Sequence, residues 1–162
     1  MIGKKIVHRV MMHGPDGHYA STLISGAKML HMFDDLSVEL MRRAEGDPGM
    51  LLGYDKIRFN VPVHVSDFVE YHAWIEKKNN TSYVVQFEAY KILTTPDDFK
   101  DKRKFLDAFA TEEPNLLGLP DSAMLVLNPP VLIGSATGIV VVAADKQKGP
   151  QDPAFAVETV EE

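Results

Sequence analysis

Asp16–Ala44, DGHYASTLISGAKMLHMFDDLSVELMRRA, is the one long stretch of the chain with a helical repeat, and its reading decides the fold. At about 100° per residue, Met29, Leu30, Phe33, Leu36, Leu40 and Ala44 gather on one arc. Lys28, His31, Asp35, Glu39 and Arg42 gather on the opposite arc, and Asp34 falls on the seam beside Leu30, Val38 and Met41. A helix with one apolar stripe buries it against a second layer. Ser25 has the chemistry of an N-cap, so the helix is expected to open at Ser25-Gly26. Gly46-Asp47-Pro48-Gly49 ends it with residues that leave the helical conformation easily.

On either side of this stretch the pattern is that of strands. Upstream, KIVHRVMM (Lys5–Met12) reads as a strand closed by the turn residues His13-Gly14-Pro15-Asp16-Gly17. Downstream the period changes to two in Leu51–Phe59, Asp67–Lys77 and Ser82–Leu93, joined by Asn60–Ser66 and by Lys78-Asn79-Asn80. Asn79-Asn80 is expected to make a tight hairpin turn, because Asn tolerates positive φ. Residues from about 94 to 128 mix Pro96-Asp97-Asp98, the charged run DFKDKRKF, Pro114 and Pro120, and read as an irregular insertion. Pro129-Pro130 then leads into a last strand, Val131–Ala144, and the polar tail from about 145 is expected to be extended or loosely ordered.

The order is strand, long helix, then about four strands, with no βαβ alternation and no internal repeat. That order predicts an α+β class with an antiparallel sheet, in one domain spanning residues 1–162. One long helix wrapped by a curled antiparallel β-sheet is the hot dog fold, and the open edge of such a sheet commonly pairs into a dimer.

Composition narrows the function classes. A chain of 162 residues with 45% hydrophobic content can bury a core without staples. No apolar run approaches the roughly 18 to 20 residues that a membrane span needs. Met1-Ile2-Gly3-Lys4-Lys5 is basic but lacks the apolar region of a secretory signal. The absence of cysteine excludes a disulfide framework and a thiol nucleophile, and fits a reducing cytoplasm. A net charge of -6 argues against a broad nucleic-acid surface. These features predict a soluble cytoplasmic protein with neither a membrane nor a nucleic acid as partner.

Against this background several motifs together resemble the hot dog fold ammonia lyases that act on β-aminoacyl-CoA, those of β-alanyl-CoA and 3-aminobutyryl-CoA. The motifs are GKKIVH at the start, DGHY before the helix, GAK and DLSVELM within it, LLGYDKIRF, PVHVSDFVEYHAWIEK and SYVVQFEAYK in the strands, and PPVLIGSATG with KGPQ near the end. They run over nearly the whole chain. The resemblance implies reversible elimination of ammonia from a short-chain β-aminoacyl-CoA to give an enoyl-CoA. It also implies an acyl-CoA thioester partner and a homodimer or an assembly of dimers such as a hexamer. Competing expectations are an acyl-CoA thioesterase or enoyl-CoA hydratase of the same fold, and a non-catalytic acyl-CoA-binding subunit.

Eliminating ammonia from a β-aminoacyl thioester requires polarisation of the thioester carbonyl, a base at the α-carbon and a proton donor for the amine. It requires no metal and no cofactor beyond the CoA carried by the substrate. Ser25, Gly26 and Ala27 are candidates for substrate binding, because a helix start offers N–H groups and a favourable dipole to an enolate-like oxygen. Their alternative is a purely structural cap. His18 titrates near neutrality and is a candidate to exchange a proton, the alternative being a solvated loop histidine; Tyr19 either donates to a carbonyl or packs.

Asp34 and Asp35 are the acid–base candidates in the helix. Partial burial at the apolar margin would raise the pKa of Asp34, whereas Asp35 is the residue to which the resemblance points and would otherwise be solvated. Glu39 also matches the family, but Arg42 and Arg43 are near enough to pair with it. Gly134 and Gly138 in the last strand mark a bulge or a close approach, with a bulge the simpler expectation. No Gly-rich phosphate loop occurs, and His8, His64 and His72 are scattered over different strands, so no metal site is expected.

Overall fold

The computed structural model describes residues 3–14, 23–95 and 124–160, and within them holds one long helix against one five-stranded antiparallel sheet. The helix, α1, runs Gly26–Glu45. At its start the Ser25 hydroxyl accepts from Ala27 N at 3.2 Å. At its end Gly46 adopts φ 74, and its N–H donates to Arg42 O. Gly is suited to that left-handed closing position because it has no Cβ to clash. The strands are β1 (Ile6–Met11), β2 (Met50–Phe59), β3 (Phe68–Lys78), β4 (Ser82–Thr94) and β5 (Leu125–Val141). Their order across the sheet is β1-β3-β4-β5-β2, so β1 and β2 form the two edges.

Period-two patterning turns one face of each central strand toward the helix. Val69, Tyr71, Ala73 and Ile75 of β3, and Tyr83, Val85, Phe87 and Ala89 of β4, are buried there. They meet Met29, Met32, Phe33, Leu36, Leu40 and Met41 of the helix. Phe33 lies at the centre, stacked on Phe87 at 5.0 Å between ring centroids and edge-on to Tyr71 at 6.1 Å. Gly138 makes this packing possible, since a Cβ there would lie 2.7 Å from a ring carbon of Phe87. Gly138 is therefore a packing glycine. Gly134 flanks a real irregularity, because the pairing with β4 passes from Ala89↔Gly134 to Tyr90↔Leu132 and leaves out Ile133.

Three expectations change in the structure. The hairpin between β3 and β4 is closed by Asn79 N donating to Ser82 O at 2.8 Å, so the two residues between the paired ends are Asn80 and Thr81, one position on from Asn79-Asn80. Neither Asn has positive φ; among the described non-glycine residues only Lys56 and Ser66 do. The last strand begins at Leu125, so the end of the expected 94–128 insertion belongs to β5; residues 96–123 lie outside the described residues. The tail is docked, because Lys148 N donates to Glu45 O, Gln151 N and Asp152 N donate to Arg43 O, and Val160 N donates to Lys78 O. Phe155 is buried beneath it. The carbonyls at a helix C-terminus need partners, and here the tail supplies them. Among the described residues no helix is long and apolar enough to cross a membrane.

Candidate active site

The candidate residues separate into two places. The first is an apolar cavity of about 610 Å³ at the start of α1, lined by Leu23–Ala27, Met29, Phe59–Val63, Tyr71 and Ile133. Ser25, Gly26 and Ala27 all lie in its wall. The first N–H groups of a helix have no intrahelical partner. Here the Ala27 N–H is taken by the Ser25 hydroxyl and the Lys28 N–H by Ser25 O, which among the described residues leaves the Gly26 N–H. Phe59 closes over this point: a Cβ on Gly26 would lie 2.8 Å from its ring. An apolar chamber ending at an N–H on the positive end of a helix is suited to an acyl chain with a carbonyl that gains negative charge.

The second place is a polar groove of about 540 Å³ between α1, β1 and the tail, lined by His8, Asp35, Val38, Glu39, Arg42, Arg43, Gln151 and Asp152. Glu39 is engaged there, meeting His8 Nε2 at 2.6 Å and Arg43 Nε at 2.9 Å. Arg43 continues to Asp152 at 2.9 Å. The bond to His8, helped by Arg43 and opposed by burial, holds the Glu39 carboxyl below its ordinary value. This is the ion-pair arrangement that Arg43 made possible in the sequence. Asp35 is exposed and lies 3.5 Å from His31 one turn earlier.

Asp34 is exposed rather than half-buried, although Met41 on the same seam is fully buried. Its turn of the helix faces β2, where the Tyr54 hydroxyl donates to Leu30 O at 2.7 Å. Burial, with the charges of Asp34 and Asp35, pushes the Tyr54 hydroxyl well above its usual range. Asp34, Asp35 and Glu39 do not line the first cavity. At the rise of a helix, about 1.5 Å per residue, Asp34 lies roughly 12 Å along the axis from Gly26. His18 and Tyr19 lie outside the described residues. Among the described residues no group of three His, Cys, Asp or Glu side chains is arranged as a metal site.

Two features were missed in the sequence. Phe59, Tyr71, Met29 and Ile133 line the cavity, and each had registered only as a core or strand residue. A fully buried ion pair, Asp67 with Lys91 at 3.1 Å, lies behind the cavity wall. Its signal was present in the alternation of β4, which places Lys91 on the buried face in line with Phe87 and Ala89.

Residues 22–92 match the model of the Thioesterase superfamily, and the fold is that of the hot dog proteins. A hexameric hotdog fold thioesterase of Campylobacter jejuni superposes with a TM-score of 0.56 at 18% identity, covering 88% of this chain and 86% of that one. The chain is 33% identical over 144 residues to the 3-aminobutyryl-CoA ammonia lyase of Acetoanaerobium sticklandii, spanning 89% of this chain and 98% of the relative. The β-alanyl-CoA:ammonia lyase from Clostridium propionicum superposes with a TM-score of 0.79 at 39% identity, covering 96% of each chain. The chain belongs to the family of these hot dog β-aminoacyl-CoA ammonia lyases.

Proposed function

We propose that this protein catalyses the reversible elimination of ammonia from a short-chain β-aminoacyl-CoA, and that its site is completed between two subunits. The observation that carries the reading is the apolar cavity ending at the Gly26 N–H, in a chain that is 33% and 39% identical to two ammonia lyases over most of its length. The acyl chain lies in the cavity and the thioester oxygen meets the helix start. A base removes the α-proton and the electron pair moves onto that oxygen. The pair then returns to form the Cα=Cβ bond as the C–N bond breaks and ammonia leaves. The ammonia can take up the proton held by the base, so atoms and charge balance with no cofactor beyond the substrate's own CoA.

The base comes from a second copy. Edge strand β2 exposes Met50, Leu52 and Phe59, which is 59% exposed, and an apolar edge of this kind favours pairing with another sheet. Asp34 stands on the side of α1 that faces β2, so a copy docked on that edge brings its own Asp34 toward the cavity. Asp34 is therefore the preferred base and Asp35 the second candidate. His18 and Tyr19 remain candidates for proton exchange and for carbonyl contact. Glu39 is assigned to its ion pairs. A homodimer, or an assembly of dimers such as a hexamer, follows from this arrangement.

The test is incubation of the purified protein with crotonyl-CoA or acryloyl-CoA and ammonium. An amine adduct that disappears in Asp34→Asn supports the proposal. Release of free CoA would make the protein a thioesterase, and a hydroxyacyl product a hydratase. Tight binding with no turnover, unchanged in Asp34→Asn, Asp35→Asn and His18→Ala, would make it a binding subunit.

A further inference from the structure

Lys91 occupies a position that the pattern of β4 reserves for apolar side chains. The buried face of that strand reads Tyr83, Val85, Phe87, Ala89, Lys91 and Thr94. Its ammonium meets Asp67 Oδ2 at 3.1 Å and donates to Pro62 O at 2.8 Å. The second Asp67 oxygen accepts from Thr94 Oγ1 at 2.6 Å, and Oδ2 also accepts from His64 N at 2.8 Å. Lys91 and Asp67 are both fully buried. Replacing a buried ion pair with apolar residues of similar size is often neutral or stabilising, so stability alone does not account for this one.

What the pair holds is one short segment. Asn60–Val63 forms a wall of the acyl cavity, and Lys91 secures the carbonyl at its centre, that of Pro62. The next carbonyl, Val63 O, accepts from Ile24 N at 2.8 Å, and Leu23 pairs with His64 as an isolated bridge. Ile24 directly precedes the cap residue Ser25. At the other end of the segment, Met12 N donates to Asp67 O and Ser66 N donates to Met12 O, both at 2.8 Å. One buried pair therefore fixes the cavity wall, the entry to α1 and the end of β1. Ser66 holds φ 75, a conformation that an L-residue keeps only where its surroundings enforce it.

We infer that Asp67 and Lys91 are positioning residues that hold the acyl cavity wall and the Gly26 helix start in the geometry that recognises the acyl group of a thioester. This rests on the reading of that cavity as the acyl site. Neither residue touches substrate; both act through Pro62, Val63 and Ile24. The consequence is a selective one: the pair governs binding of the acyl part and leaves the CoA part alone.

The experiment compares the Kd of butyryl-CoA with that of CoA by calorimetry, in the wild-type full chain and in Lys91→Met/Asp67→Asn. The double variant avoids an unpaired buried charge. The expected result is a folded variant whose preference for butyryl-CoA over CoA falls on the order of tenfold, with CoA itself bound as before. Thr94→Val removes one bond to Asp67 while keeping the pair, and is expected to lower the preference by a few-fold; Lys91→Arg, which keeps the charge, is expected to retain more of the preference than the double variant. A large wild-type preference left unchanged in Thr94→Val and in the folded double variant overturns the inference alone. A wild-type protein with no preference for butyryl-CoA overturns the reading of the cavity and the inference with it.

Discussion

Replacing Met29 by alanine opens the acyl cavity from below. Met29 lines the cavity and is 5% exposed, and its sulfur fills the space that a side chain on residue 134 would need. Alanine removes three heavy atoms there. A sealed cavity of that origin costs about 2 to 5 kcal/mol, and because Met29 borders an existing opening the lower end, about 2 kcal/mol, is expected. The new space admits about two further methylenes, each contributing about 0.8 kcal/mol when buried. The sum of about 1.6 kcal/mol corresponds to a change of roughly 15-fold in selectivity. The assay is kcat/KM for amination of hexenoyl-CoA relative to crotonyl-CoA, with denaturant unfolding as the stability measure. The Met29→Ala ratio is expected to move toward hexenoyl-CoA by that factor. A folded variant with an unchanged ratio refutes the argument, since Met29 would then be a core residue that does not limit the chain.

Further expectations concern the groups around this cavity and beneath the tail. Glu45 is buried, and it accepts from the Tyr83 hydroxyl at 2.7 Å and from the Lys78 ammonium. Glu45→Ala leaves both without an acceptor and is expected to cost about 3 kcal/mol in denaturant unfolding. Ser66→Gly removes the strain of a positive φ at the segment behind the cavity, and a gain of about 1 kcal/mol in the same measurement is expected. His8, then Arg43, hold the Glu39 carboxyl below its ordinary 4.5 despite partial burial. A depressed native pKa gives stability that is present above the unfolded value and is lost as pH falls through the native one. Glu39→Gln should therefore lose part of the acid dependence of unfolding below about pH 4.5, and should leave the amination rate at neutral pH largely intact.

The helix and the central strands were legible because each carries its own period and its own stops. Ser25 and Gly46 bracket α1 in the structure as their chemistry implied. The start of β5 was not legible, because Pro129-Pro130 reads as an interruption. The strand tolerates the prolines because its pairing with β4 skips from Val131↔Lys91 to Val126↔Leu93, so they fall where no ladder bond is required. The tail misled for a related reason. Its composition is polar, yet its backbone N–H groups serve the last carbonyls of α1, and one side chain, Phe155, anchors it beneath Arg43.

At the candidate site the division is sharper. Ser25, Gly26 and Ala27 could be placed at the start of α1 from sequence, because a helix cap defines its own chemistry. Asp34, Asp35 and Glu39 could not be ranked, because their surroundings come from segments far along the chain. His8, 31 positions earlier, takes Glu39, and Tyr54, 24 positions beyond Leu30, identifies the side of α1 on which Asp34 stands. A comparable distance in sequence hid Lys91, whose partners Asp67 and Pro62 both lie in the loop between β2 and β3. A lysine at a buried strand position was nevertheless a readable conflict, since an ammonium there requires a carboxylate and a carbonyl nearby. Asp67, the last residue of HVSD, stands at the mouth of the neighbouring strand β3. Pairing the two sets the loop Asn60–Ser66 against the entry to α1, and with it the wall of the cavity.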